Sequence, residues 1–183
     1  MELRPTIEVV NSRITWANRW DHFLARIGVN RMEHRVKPGL CALGSPSPDS
    51  PVFVTANYTL SFDALRSSLR GMDCYIMVLD TEGVNVWCAA GKGTFGTYEV
   101  VRRIEATVLG KVVRHRRLIL PQLSASGVSA FDVKKRSGFT VEFGPIRARD
   151  IPEFIKTGKV TPEMRRVGFD LKDRLVLIPV EIK

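Results

Sequence analysis

The chain has 183 residues, 44% hydrophobic and 26% charged, a balance that suits one self-supporting domain whose core needs no disulfide or structural metal. No apolar run reaches the roughly 18 residues of a membrane span, residues 1–5 lack the apolar stretch of a secretory signal, and three scattered cysteines show no C-x-x-C spacing, so a reducing cytoplasm is expected. A net charge of +9 draws the protein to something anionic: nucleic acid, an acidic membrane surface, an acidic protein or a carboxylate-bearing cofactor.

In chain order, residues 14–27 carry Trp16, Trp20, Phe23, Leu24 and Ile27 at helical spacing, with Arg19 and Arg26 off that stripe. This predicts an amphipathic helix that packs on the domain or lies on a membrane surface. The Pro/Ser/Gly stretch 39–51 predicts a separator, closing an N-terminal arm at residue 50. Residues 51–57 then read as a buried strand and 61–69 as a helix with Ser61 as N-cap and Phe62, Leu65 and Leu69 facing inward. Further strands are expected at 75–79, 118–120 and 140–143, and helices at 98–109, 126–136 and 148–156. Strands alternating with helices imply right-handed parallel crossovers. The expected fold is α/β, a Rossmann-like open and mainly parallel sheet flanked by helices over 51–160, with 161–183 as an extension. Ligands of such sheets bind at the carboxyl ends of the strands, here 55–58, 80–96, 120–123 and 144–145.

The longest of these loops holds Asn85-Val86-Trp87-Cys88-Ala89-Ala90-Gly91-Lys92-Gly93-Thr94-Phe95-Gly96-Thr97. Gly91, Gly93 and Gly96 match G-x-G-x-x-G, yet the first comes eleven residues after Asp80 instead of in the turn off the strand, and no acidic residue ends the strand at Leu120. A P-loop would need glycine at Val86 and Ser or Thr at Gly93. Cys41 and Cys74 read as small buried hydrophobes. Cys88 differs: a helix starting near Trp87 sets the thiol at the positive helix end, with Lys92 one turn on, and both favour a charged sulfur. His22, His34 and His115 offer it no persuasive base, and no cluster of Cys or His surrounds it. A lone soft ligand suggests a metal that brings its other ligands in a macrocycle. The basic groups Arg102-Arg103, Arg114-His115-Arg116-Arg117, Lys134-Lys135-Arg136 and Arg165-Arg166 lack interleaved aromatics, so they read as solvated helix faces and strand ends and no nucleic-acid partner is expected.

The segment from Asn85 to Thr97 resembles the cap-helix motif of the mercury-methylating corrinoid protein family, itself related to the large subunit of the corrinoid iron-sulfur protein of acetyl-CoA synthesis. Residues 51–58, 117–123 and 161–166 are similar to that family as well. The resemblance implies a corrinoid (cobalamin) bound base-off, with the cap helix beneath it and Cys88 as both the catalytic residue and the axial ligand to cobalt through a methyl-Co(III)/Co(I) cycle. It implies cofactor contacts from Asn85, Val86, Trp87, Ala89, Ala90, Gly91, Lys92, Gly93 and Thr94, and from Asn57, Leu120, Pro121 and Gln122. Small Ala89, Ala90 and Gly91 would let the helix approach the ring. Asn85 would donate to the sulfur, Trp87 would pack in the core or against the ring edge, and Lys92 would meet a corrinoid group or solvent.

The activity so implied is a corrinoid-dependent methyltransferase that passes a methyl group to Hg(II), forming methylmercury. The alternative is a methyl carrier of one-carbon, acetyl-CoA-type metabolism without mercury chemistry. Implied partners are a ferredoxin-like iron-sulfur reductant and a methyl-donor protein or methyltetrahydrofolate-linked methyltransferase. The family continues into a membrane-embedded region, so residues 161–183 either pack on the domain or lead to that region, at the cytoplasmic face of the cell membrane.

Overall fold

The segment Cys74–Leu79 carries no charged residue and is buried at every position, so it needs cover on both faces of a sheet. In the computed structural model, which describes residues 5–30 and 33–166, this segment is β4, near the centre of six strands. The others are β1 (Ile7–Val10), β2 (Gly39–Leu43), β3 (Val52–Ala56), β5 (Arg117–Leu120) and β6 (Thr140–Phe143), in the order β1-β2-β4-β3-β5-β6. All neighbours are parallel except β2 and β4. The expected α/β class and mainly parallel sheet are what the chain forms.

Helices α1 (Trp16–Arg26), α2 (Thr59–Ser68), α3 (Val86–Lys92), α4 (Thr97–Ala106), α5 (Leu109–Val112), α6 (Ala130–Ser137) and α7 (Ile151–Thr157) flank the sheet. Successive strand residues point to opposite faces, and the core divides accordingly. Val52, Val54, Met77 and Leu79 pack with Val100, Ile104, Leu109 and Val133 on one side. Phe53, Ile76 and Val78 pack with Phe62, Leu65, Leu69 and Phe154 on the other.

Several local expectations are corrected. The stretch 39–51 does not begin as a separator: Leu40 to Leu43 are buried in β2, and β1 lies beside it, so residues on both sides of position 50 share one sheet. Ser61 is not the N-cap of α2, which starts at Thr59 after an uncapped Tyr58. The helix expected over 98–109 breaks at Val108, which takes a left-handed φ of 50°. The one expected over 126–136 starts at Ala130, capped by Ser129. The basic run at 114–117 is solvated at Arg114 and Arg117, as expected, while also pairing Arg114 with Asp49, Arg117 with Glu142, His115 with the Ser50 carbonyl, and Arg116 with three carbonyls of its own turn and one at Gly110. In the extension, Met164 is buried and its carbonyl accepts from Ile146 at 2.9 Å, while 167–183 lie outside the described residues.

Helix α1 turns its polar side inward. His22 Nε2 meets Asp63 Oδ2 at 2.7 Å, and Asp63 also holds Arg66 Nε at 2.6 Å. The Arg66 guanidinium donates to the carbonyls of Asn11 (2.7 Å) and Arg13 (2.8 Å), tying the arm to α2. Asp21 accepts from Thr59 Oγ1 at 2.8 Å and contacts His34 Nδ1 at 2.7 Å, while His34 Nε2 faces the Val29 carbonyl at 2.8 Å. Two acceptors around one ring call for the imidazolium form. Burial opposes that charge, but the Val29 carbonyl and Asp21 outweigh it and the His34 pKa is raised.

A raised folded pKa means that the stability from His34 is complete below its unfolded value of about 6.5 and is lost as pH rises through the folded value. We expect His34→Gln to lower the unfolding free energy by about 1–3 kcal/mol in mildly acidic buffer and by less above neutrality. Urea unfolding of both proteins across pH measures this; a penalty that does not change with pH would refute it.

Candidate functional site

Chain path decides where this sheet can bind a ligand. From β3 the chain passes through α2 to β4 on one side, while β5 lies on the other side of β3. Connections leaving a strand pair in opposite directions open a crevice at the carboxyl ends. β3 and β5 pair at Phe53 and Ile119, and a largely apolar cavity of about 350 Å³ opens there. Phe53, Val54 and Thr55 of β3, Ile119 and Leu120 of β5, Pro121 and Leu123 beyond it, and Asn85, Val86 and Trp87 at the start of α3 line it.

Asn57, at the end of β3 and only 2% exposed, builds the approach to α3. Its side-chain oxygen accepts from the Thr81 amide (3.0 Å), the Thr81 hydroxyl (2.9 Å) and the Gly83 amide (3.0 Å), and its amide nitrogen donates to Asp80 Oδ1 at 3.3 Å. These bonds hold Glu82 at φ 58°, a left-handed conformation uncommon outside glycine. From α4, the buried carboxylate of Glu99 accepts from the Asp80 amide at 2.9 Å while paired with Arg103 at 2.7 Å.

Helix α3 starts at its cap. Asn85 Oδ1 accepts from the Cys88 amide at 3.0 Å, satisfying one of the free donors of the first turn. This bond uses the Asn85 side-chain oxygen, whereas the expected bond to the sulfur would come from its amide nitrogen. Cys88, Gly91, Lys92 and Gly93 are exposed, Val86 and Thr94 half-buried, and Ala89 and Ala90 buried. The two alanines therefore serve contact with the domain, where a larger side chain would lift the helix. Trp87 is 64% exposed at the cavity mouth and takes no part in core packing.

The glycines also answer to the fold. Gly93 ends α3 at φ 85°, a left-handed C-cap. A Cβ on Gly96 would stand 2.6 Å from the Gly93 carbonyl oxygen, and one on Gly127 2.5 Å from that of Phe95. Gly91 and Gly93 have open space where a Cβ would stand, and of the two only Gly93 is in the left-handed region. The G-x-G-x-x-G spacing thus spans the end of a helix instead of a strand-to-helix turn.

Of the remaining expected residues, Leu120 and Pro121 line the cavity, and Gln122 follows them in a single 3-10 turn. Gln122 Oε1 is buried and, among the described residues, accepts no hydrogen bond. Such an atom costs about 1–3 kcal/mol unless something bonds it. His22, His34 and His115 are engaged elsewhere, and no group of three or more His, Cys, Asp or Glu among the described residues is placed to hold a metal ion. Burial, with Glu8, pushes the Cys41 thiol up to about 11, and burial, with Asp73, takes that of Cys74 to about 12. The exposed cysteine is Cys88. Sequence reasoning missed the parts played by Glu99 and Gly127, since neither lies in a motif.

The family model for the CO dehydrogenase/acetyl-CoA synthase delta subunit matches residues 30–155. The chain belongs to this family. In this chain α1 lies ahead of the matched stretch, and the sheet from β2 onward, the cavity and α3 lie within it. Among curated proteins the chain is similar to the acetyl-CoA decarbonylase/synthase complex subunit gamma of Methanopyrus kandleri, 34% identical over 69% of this chain and 27% of that protein. It is also similar to the subunit of that name from Archaeoglobus fulgidus, at 36% over 61% and 24%, and from Methanocaldococcus jannaschii, at 30% over 69% and 26%. The chain spans about a quarter of the length of these relatives. Of the two relations that the motif suggests, these matches carry the one to acetyl-CoA synthesis.

Two outcomes follow from this geometry. An aromatic disulfide reagent should titrate one thiol in the native protein and three after unfolding, with the native signal lost in Cys88→Ala; a second reactive thiol in the folded state would contradict the burial of Cys41 and Cys74. Gly96→Ala should destabilise by about 2 kcal/mol or more, against about 1 kcal/mol for Gly93→Ala, as read by chemical denaturation.

Proposed function

We propose that this chain is a corrinoid-binding methyl-carrier domain of one-carbon metabolism of the acetyl-CoA type, with Cys88 as the residue that would ligate cobalt. The observation that carries the reading is an exposed cysteine on a short helix whose first residues line an apolar cavity at the switch point of the sheet. Membership of an acetyl-CoA synthase family supports it. The residues present fit the cofactor in three respects. A single soft sulfur suits a metal whose other ligands come from a macrocycle, the apolar cavity suits a displaced aromatic base, and the orphaned Gln122 Oε1 suits an amide N–H from the corrin rim.

When bound, the corrinoid supplies a cobalt centre that accepts and releases a methyl group. The chain does the rest. Cys88 would hold the group through its sulfur, kept in place by the Asn85 cap and the Asn57-bound loop. Gly91 leaves the helix surface bare beside the sulfur, and Phe53, Val54 and Leu120 exclude water from the cavity. Lys92 is an exposed cation one turn from Cys88, suited to a corrinoid carboxamide or phosphate. We place the domain in the cytoplasm, where the thiol stays reduced, in exchange with a ferredoxin-like reductant and a methyl-donor protein.

The resemblance of residues 85–97 to the mercury-methylating corrinoid proteins supports a second reading. Cys88 would hold the corrinoid through an electron-rich sulfur, and the group would supply methyl transfer to an electrophile such as Hg(II). On that reading the domain is a corrinoid-dependent methyltransferase and inorganic mercury its substrate.

Protein loaded with hydroxocobalamin should show a sulfur-ligated visible spectrum that Cys88→Ala abolishes; identical spectra would remove Cys88 as ligand. Transfer of labelled methyl to Hg(II), against transfer to a thiol or nickel acceptor, separates the two destinations. Gln122→Leu should lower corrinoid affinity about tenfold, or about 1.4 kcal/mol, while leaving the cofactor-free protein at least as stable, because it removes the unbonded oxygen. A drop in stability without loss of affinity would sink the role given to Gln122.

A further inference from the structure

We propose that the outer face of α1 docks this protein peripherally onto an anionic lipid surface. Trp16, Trp20 and Phe23 are 86%, 63% and 50% exposed. Their i, i+4, i+7 spacing makes a continuous ridge along one side of the helix. Trp20 and Phe23 stack with ring centroids 5.5 Å apart, and the Arg19 guanidinium lies 5.7 Å over the Trp16 ring. The ridge cannot rotate inward, because Asn18, Asp21 and His22 on the opposite side are bonded to Arg66, Thr59, His34 and Asp63. Such an aromatic surface, held outward by a polar anchor, costs solvation that a covering partner would recover.

Charge selects the partner. Arg13, Arg19 and Arg26 are exposed around the ridge, while Asp21, the acidic residue of α1, is turned inward. Tryptophan and phenylalanine flanked by arginine, on a convex helix, match the interface of an anionic bilayer, where rings enter the headgroup boundary and guanidinium groups meet phosphate. The net charge of +9 adds a longer-range attraction of the same sign. No described helix is long and apolar enough to cross a membrane, so attachment through this face is superficial. The ridge precedes the stretch matched by the family model, and Trp16, Trp20 and Phe23 are not among the residues that line the cavity.

The test uses the full chain carrying Trp87→Phe, so that emission reports Trp16 and Trp20 alone. It is mixed with phosphatidylcholine vesicles with and without roughly 30% phosphatidylglycerol. We expect a blue shift and quenching by brominated lipid on the anionic vesicles, with binding at least tenfold weaker to the neutral ones. Phe23→Ser combined with Trp16→Ser and Trp20→Ser should reduce cosedimentation at least tenfold without moving the unfolding midpoint, and Arg19→Glu with Arg26→Glu should do the same. Equal binding to both vesicle types, undiminished binding by the serine variant, or bound protein whose tryptophans escape quenching would overturn the proposal. So would a dimer in solution that the serine substitutions dissociate, since the face would then be covered by a second copy.

Discussion

The side-chain oxygen of Asn57 accepts three hydrogen bonds from residues 81–83, and the placement of α3 depends on them. It stands just past the end of β3, near the middle of the sheet, and ties the loop leading to Cys88 to that strand. A buried amide lacking these partners would carry an uncompensated desolvation cost, so loop and strand hold each other. Glu99 repeats the device from α4, taking the Asp80 amide while its charge is answered by Arg103 and, at 2.6 Å, by Arg102. The exposed thiol thus rides on backbone tied at both flanks, as a site needs when its ligand bonds to one atom.

Polarity in the N-terminal arm runs opposite to that of an ordinary surface helix. The contact between α1 and the domain is made by His22, Asp63, Arg66, Asp21, Thr59 and His34, and the aromatics face out. Each buried charge in this network has an opposite charge within hydrogen-bond distance, the condition under which burying charge is tolerated. The helix is oriented by hydrogen-bond direction instead of apolar burial, which leaves its apolar stripe available and makes its attachment sensitive to the protonation of His34.

Strands β3 to β6 were legible because runs such as Val52–Ala56 and Cys74–Leu79 are apolar, bounded by turn residues and separated by helical stretches. Strand β2 was not, because Gly39 and the prolines and serines after Leu43 mask five residues whose burial comes from their neighbours across the sheet. Helix boundaries slipped where caps and breaks rest on backbone geometry, as at Val108. At the site, Cys88 stood out by its surroundings, and the cavity residues Leu120 and Pro121 followed from the carboxyl-end rule. The orientation of the alanines did not: three small residues in a row carry no periodic signal to tell a ligand face from a packing face.

Taken alone, the sequence determined the α/β alternation, the apolar strands, the motif around Cys88 and the cluster of aromatics at helical spacing in the arm, because these depend on residue type and short-range period. Tertiary structure decided the rest: that β2 joins the sheet antiparallel, that Ala89 and Ala90 face inward while Cys88 faces out, that Gly96 and Gly127 clear neighbouring backbone, and that the Trp16, Trp20 and Phe23 face points to solvent. Period tells which residues share a face. Which way that face turns is set by partners distant in sequence, here Asp63, Arg66 and His34, whose hydrogen bonds exist only once the chain has folded.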